Sequence, residues 1–136
     1  MKKTIVLFPL IALTILLSGC AGGIQGDEAK EHIHLFLEAI EVRNYEAAAL
    51  LLHPERPADL KKYFEKLENE TGLDFSSIQI ERYTGFTSSL YDSRVNGSAY
   101  SLSMKGLVNG KPIHMKIEIV RNDRGYGIYN LDITAE

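Results

Sequence analysis

One thiol, four imidazoles and a scatter of hydroxyls and carboxylates are the chemistry this chain offers. Cys20 is the only cysteine. A single thiol can be a nucleophile, a ligand or an acyl acceptor, but it cannot close a disulfide within its own chain. His32 and His34 stand two apart on a predicted helix, about 200° around the wheel, so they cannot hold one metal together. His53 precedes Pro54, and His114 alternates onto the polar side of a strand. These read as four separate surface histidines, with no metal site and no cofactor. Ser76, Ser77, Ser88, Ser89, Ser93, Ser101 and Ser103 are plentiful, yet none sits in a Gly-x-Ser-x-Gly turn that would strain and expose a nucleophile. Gly106 with Gly110, and Gly125 with Gly127, read as turn and strand glycines rather than a phosphate loop.

Cys20 is different because of what precedes it. Met1-Lys2-Lys3 is a positive start, and residues 4–16 form an uncharged apolar block interrupted by Pro9. That block is shorter than the roughly 20 apolar residues a spanning helix needs. A positive start, an apolar block and small residues before a cleavage point are the grammar of a secretory signal. Leu17-Ser18-Gly19-Cys20 then closely resembles the bacterial lipobox at all four positions. The resemblance implies that the Cys20 thiol takes a diacylglycerol and that cleavage falls after Gly19. Cys20 then becomes the mature N-terminus and can be acylated further, as with palmitate. Two or more chains anchor stably where one does not. The expected organisation is a signal peptide over 1–19, a lipidated flexible tether over 20–27 and a single domain over 28–136. The expected location is the extracytoplasmic face of the cell membrane. Ala21, rather than Asp, follows the cysteine, so the outer membrane stays open as a destination if the source has two membranes.

Composition narrows the partners. Loss of Lys2 and Lys3 with the signal takes the formal charge from −3 to −5. A mildly acidic domain gains no general attraction to nucleic acid or anionic lipid, so no nucleic-acid partner is expected. With Cys20 acylated, stability must come from the apolar core, which seven Tyr and five Phe can help to fill.

The elements that position these residues follow from periodicity. Asp27 reads as an N-cap for a helix over about 28–43, whose Ala29, Ile33, Phe36, Leu37 and Ile40 share one face. Asn44 can cap a second, Ala-rich helix that stops before His53-Pro54. Pro57 suits the first turn of a third helix that runs to about Glu70 and stops at Gly72. The period then changes to two. Residues 77–87 read as a strand, and 88–96 as either loop or strand. Tyr100, Leu102, Met104 and Val108 line one face of a third segment. Asn109-Gly110 is a strong hairpin signal, and its partner carries Ile113, Met115, Ile117 and Ile119 on one face. A turn over 121–125 leads into a last strand over 126–133. Helices first and antiparallel strands after predict an α+β domain, with helices on one sheet face and the other face polar.

Phe36-Leu37-Glu38-Ala39-Ile40 through Asn44-Tyr45-Glu46-Ala47-Ala48 resembles the opening of NTF2-like domains. Asn109-Gly110-Lys111 and Gly125-Tyr126-Gly127-Ile128 resemble the last two strands of small NTF2-like (cystatin-like) lipoprotein domains, which usually carry Trp where Tyr126 stands. The resemblance implies N-terminal helices packed on a curved antiparallel sheet, a cone with one open end. The superfamily hosts enzymes, ligand binders and adaptors, so fold alone fixes no function. Its isomerases use a carboxylate in an apolar cone with a Tyr or protonated Asp as oxyanion donor. Asp92, Asp132, Tyr63, Tyr100 and Tyr129 are the residues here that could approach a cone, although no motif carries a catalytic role onto them. Tyr45, Tyr63, Phe64, Tyr100, Met104, Met115 and Tyr129 are candidates to line a pocket or interface, since Met and aromatic side chains adapt to varied partners. The plainer reading is that they fill the core. The leading expectation is a lipid-anchored binding or interaction domain, taking a protein or small apolar ligand, with a homodimer through the sheet as one assembly. A small isomerase- or dehydratase-type enzyme and a structural envelope protein are the alternatives.

Overall fold

The computed structural model describes residues 23–136. The Leu17–Cys20 motif and the segment before it lie outside the described residues. Three helices, α1 (Gly26–Glu41), α2 (Tyr45–Ala49) and α3 (Leu60–Thr71), precede four strands, β1 (Ile78–Asp92), β2 (Gly97–Val108), β3 (Lys111–Asn122) and β4 (Gly125–Ala135). The strands form one open antiparallel sheet in the order β1-β2-β3-β4. This is the α+β class that the helix-then-strand pattern predicts.

α1 buries Ala29, Ile33, Phe36, Leu37 and Ile40, the face its spacing marks out. Its start differs from expectation. Gln25, not Asp27, is the N-cap, and its N–H donates to Glu28 Oε1 at 3.3 Å. Ile24 is buried as well. Residues 23–27, expected to belong to the flexible tether, are instead part of the folded domain. At its other end α1 stops at Glu41, and Arg43 turns the chain with φ 56°. Asn44 caps α2 by accepting the Ala47 N–H at 3.2 Å, as expected. α3 does not begin at Pro57. Asp59 caps it, accepting the Lys62 N–H at 3.1 Å, because a side chain that satisfies an orphan amide outweighs the preset φ of a proline. Gly72 ends it in the left-handed region, φ 74°.

The sheet core is a set of cross-strand rungs on the helix side. Leu102 faces Ile117, which faces Leu131; Met104 faces Met115, which faces Ile133. Phe36, Phe64 and Phe75 pack over these rungs, with Phe64 edge-on to Phe75 at 5.1 Å. Asn109 and Gly110 turn β2 into β3 with φ 48° and 79°, the two positive values of a type I′ hairpin. The open segment resolves as strand: β1 runs to Asp92 and only the four residues up to Asn96 turn. Register shifts interrupt β1 between Ile80 and Arg82, Tyr83 and Gly85, and Ser89 and Asp92, and β4 at Tyr129, opposite Glu118 and Ile119. Such bulges bend a strand and raise its twist.

The far face of the sheet is not wholly polar. Val95, from the β1–β2 turn, folds over Ala99 and Val120, and Tyr129 packs against them. One turn residue supplies the cover, so a second small core forms where only polar side chains were expected.

Candidate functional site

The two sheet edges are treated differently. Beside β4, the chain leaving α2 lays residues 51–53 parallel to the strand: the Ile128 N–H donates to the Leu51 carbonyl and the His53 N–H to the Ile128 carbonyl, both at 2.9 Å. This close approach works because Gly127 has no side chain. A Cβ there would stand 2.5 Å from the His53 nitrogen and 2.6 Å from the Leu52 carbonyl carbon.

His53 is carried inward by that pairing and is buried, contrary to its reading as a surface residue. Its Nδ1 accepts the Glu55 N–H at 3.0 Å, which puts the ring proton on Nε2, where it is donated to Asn122 Oδ1 at 2.9 Å. Asn122 in turn donates from Nδ2 to Glu55 Oε1 at 2.6 Å and to the Val95 carbonyl at 2.8 Å. The group ties the α2 exit, the β1–β2 turn and β3 together. The histidine works as a structural pin. Nothing in its sequence neighbourhood beyond Pro54 signals this, because Ile128 and Asn122, which draw it inward, are distant in the chain. His32 is also partly inside, with Nε2 at 2.7 Å from the Leu51 carbonyl.

A cleft of about 220 Å³ opens next to this pin, between β4 and the loop into α3. Leu52, Leu60, Ile128 and Leu131 give it an apolar floor, and Arg56, Tyr63 and Tyr129 form its rim. Arg56 lies over the Tyr129 ring at 4.3 Å, and His53 meets the same ring edge-on at 5.3 Å. Burial and the nearby Asp132 charge push the Tyr63 hydroxyl above its ordinary value, so it stays a neutral donor at neutral pH. Drug-sized ligands occupy roughly 300–1,000 Å³. This cleft therefore suits a single apolar side chain or a very small molecule.

The other expected site residues disperse. Phe64, Tyr100, Met104 and Met115 are buried in the main core and do not line this cleft. Tyr45 is partly buried against that core, and its hydroxyl accepts from Arg43 at 3.2 Å. Only Tyr63 and Tyr129 of the expected set meet at one opening. The acids stand elsewhere. Asp92 pairs with Arg94 at 3.3 Å in the β1–β2 turn. Asp132 stands opposite Lys116 in the strand register and lines a polar hollow with Glu118 and Asn130. Glu118 itself takes two hydrogen bonds from Arg94, at 2.6 and 3.3 Å, and one from Asn130 at 2.7 Å. Both oxygens of its carboxylate are thus hydrogen-bonded. The Tyr126 hydroxyl is buried with no hydrogen-bond partner, while its ring is held between His32 at 4.9 Å and Arg121 at 4.5 Å.

Among the described residues no group of three or more His, Cys, Asp or Glu could hold a metal ion, and no helix is long and apolar enough to cross a membrane. Compared with known proteins, the chain matches no family model, no curated protein and no solved structure.

Proposed function

We propose that this chain is a bacterial lipoprotein whose domain, of NTF2-like type, is a binding module at the extracytoplasmic membrane surface. One observation carries the placement: Leu17-Ser18-Gly19-Cys20, which resembles a lipobox, ends at Cys20, and the first buried residue of the domain is Ile24. An acylated cysteine there would tether a folded unit with almost no linker between them.

The binding half of the proposal rests on the β4 cleft. Its floor is apolar, its rim is aromatic and cationic, and its volume fits one inserted side chain of a protein partner. Among the described residues no carboxylate lines the cleft, and Glu118 of the neighbouring polar hollow is held by Arg94 and Asn130, which favours binding over acid–base catalysis. The bulged strands and the helix layer on one side agree with a curved NTF2-like sheet, with the cleft as its open end.

Metabolic labelling with a fatty-acid analogue in a bacterial host tests the tether. Wild type should be labelled and Cys20→Ser should not; equal labelling of both would refute it. Crosslinking in the same host tests the cleft. A protein partner captured by wild type and lost with Tyr63→Ser/Tyr129→Ser is the expected result, and undiminished capture by that variant would remove the cleft from consideration.

A further inference from the structure

β1 is the sheet edge that no other part of the described chain pairs with. From Tyr83 to Tyr91 its nine residues carry no charge. Edge strands usually defend themselves with charged side chains or prolines. Here the edge carries Phe86, Leu90 and Tyr91 at 67%, 74% and 65% exposure instead. Phe86 faces Leu102 across the strands and stacks on Tyr100 at 5.7 Å, so it continues the helix-side core into the open. Helix α1 does not cover this shelf. It begins beside Tyr100 at Gly26 and leads away from it. Lys30 lies over Tyr83, and at the far end the Glu41 carboxylate accepts the Ile78 N–H at 2.9 Å.

The chain joins the domain at this same shelf. Gly23 packs against Leu90: a Cβ built on it would stand 3.0 Å from Leu90 Cδ2. Its carbonyl accepts from Arg121 at 3.2 Å, and Ile24 is then buried. Whatever precedes Gly23 must leave from beside Leu90. Cys20 is three residues upstream, at most about 11 Å along an extended chain.

We infer that the Phe86–Leu90–Tyr91 shelf seats on the lipid bilayer, so that the domain lies against the membrane with β1 down. This rests on the lipoprotein reading of Cys20. A leash of three residues holds the shelf at headgroup level whether or not it binds, so even weak partitioning orders the domain. Aromatic and apolar side chains enter the interfacial zone. The edge amides and carbonyls of β1 find water and headgroups there, which they could not find deeper. An uncharged segment on an acidic protein needs no anionic lipid, so the contact is insensitive to salt.

The test uses the full chain made in a bacterial host, purified with its lipid and placed in vesicles of phosphatidylethanolamine and phosphatidylglycerol. Ser88→Cys puts a polarity-sensitive fluorophore on the shelf, and Ser77→Cys puts one at the other end of β1. Mass spectrometry of the same samples reads the diacylglyceryl adduct on Cys20. Expected are a blue shift and quenching by brominated lipid at position 88 and not at 77, unchanged by salt. Adding Phe86→Ser, Leu90→Ser and Tyr91→Ser should return the position 88 signal to that of water, while the lipidated protein still sediments with vesicles. No quenching at 88 despite the adduct would overturn the shelf alone. Energy transfer between position 88 labels on two copies would overturn it in favour of edge pairing. Absence of the adduct would overturn both the lipoprotein reading and the shelf.

Discussion

The α-carbon of Gly127 lies directly beneath the amide of His53, so close that a methyl group there would meet the nitrogen at 2.5 Å and the Leu51 oxygen at 2.8 Å. That approach joins the helical half of the domain to the last strand. Gly127→Ala should push residues 51–53 off the strand and cost about 1–3 kcal/mol, the range for overpacking a tight site. Urea denaturation measures it, and amide exchange at Ile128 should accelerate.

His53→Ala should cost about 1–3 kcal/mol, because it empties a buried site and takes one donor from the partly buried Asn122 side chain. Asn122→Ala should cost a similar amount. The two changes together should cost much less than their sum, since both break one group of hydrogen bonds. Thermal melts of the three variants form the required cycle.

Phe64 and Tyr63 are adjacent in α3 yet sit in different worlds. Phe64→Ala empties a fully buried site among Phe36 and Phe75 and should cost about 3–5 kcal/mol. Tyr63→Ala removes a rim residue of the cleft and should cost far less, leaving a folded protein with a wider opening. Chemical denaturation separates them. A Tyr63→Ala protein as unstable as Phe64→Ala would mean that the rim residue serves the core.

Arg43 grips Glu68 with both terminal nitrogens, at 3.1 Å each, and the Phe75 N–H adds a third bond at 2.9 Å. These bonds hold the Glu68 carboxyl below the usual range, the Arg43 contact most of all. A carboxyl depressed by folding adds stability that is present above its ordinary value of 4.5 and lost as pH falls through the folded one. Melting temperature should therefore drop on acidification below about pH 4.5, and Glu68→Gln should flatten that part of the curve. Arg43→Ala should lower the melting temperature at neutral pH and weaken the acid dependence in the same direction.

What could be read from residues alone follows a physical divide. The buried face of α1, the apolar faces of β2 and β3, the Asn109-Gly110 hairpin and the Asn44 cap all rest on neighbours close in sequence, where periodicity and local hydrogen bonds decide. The errors lie where a distant partner decides. His53 looked like a surface residue because Asn122, which draws it inside, is far along the chain. Asp27 looked like the cap because Ile24 gives no local hint that it will be buried. Val95 carried no sequence signal, because the Ala99 and Val120 surface it covers exists only once the sheet forms. Of the candidate site, Tyr63 and Tyr129 share the cleft, but Arg56 was missed, since a lone arginine in a proline-flanked loop carries no periodic signal.

Because each strand lies beside its predecessor, the sheet can assemble in the order in which the chain emerges, from ribosome or export pore alike. The exception is the stretch around Leu52. It leaves early but has nowhere to dock until Ile128 arrives, near the end. The final strand therefore acts as the latch of the domain: a polypeptide cut short before it would hold its helices and first three strands without the clasp that binds one half to the other.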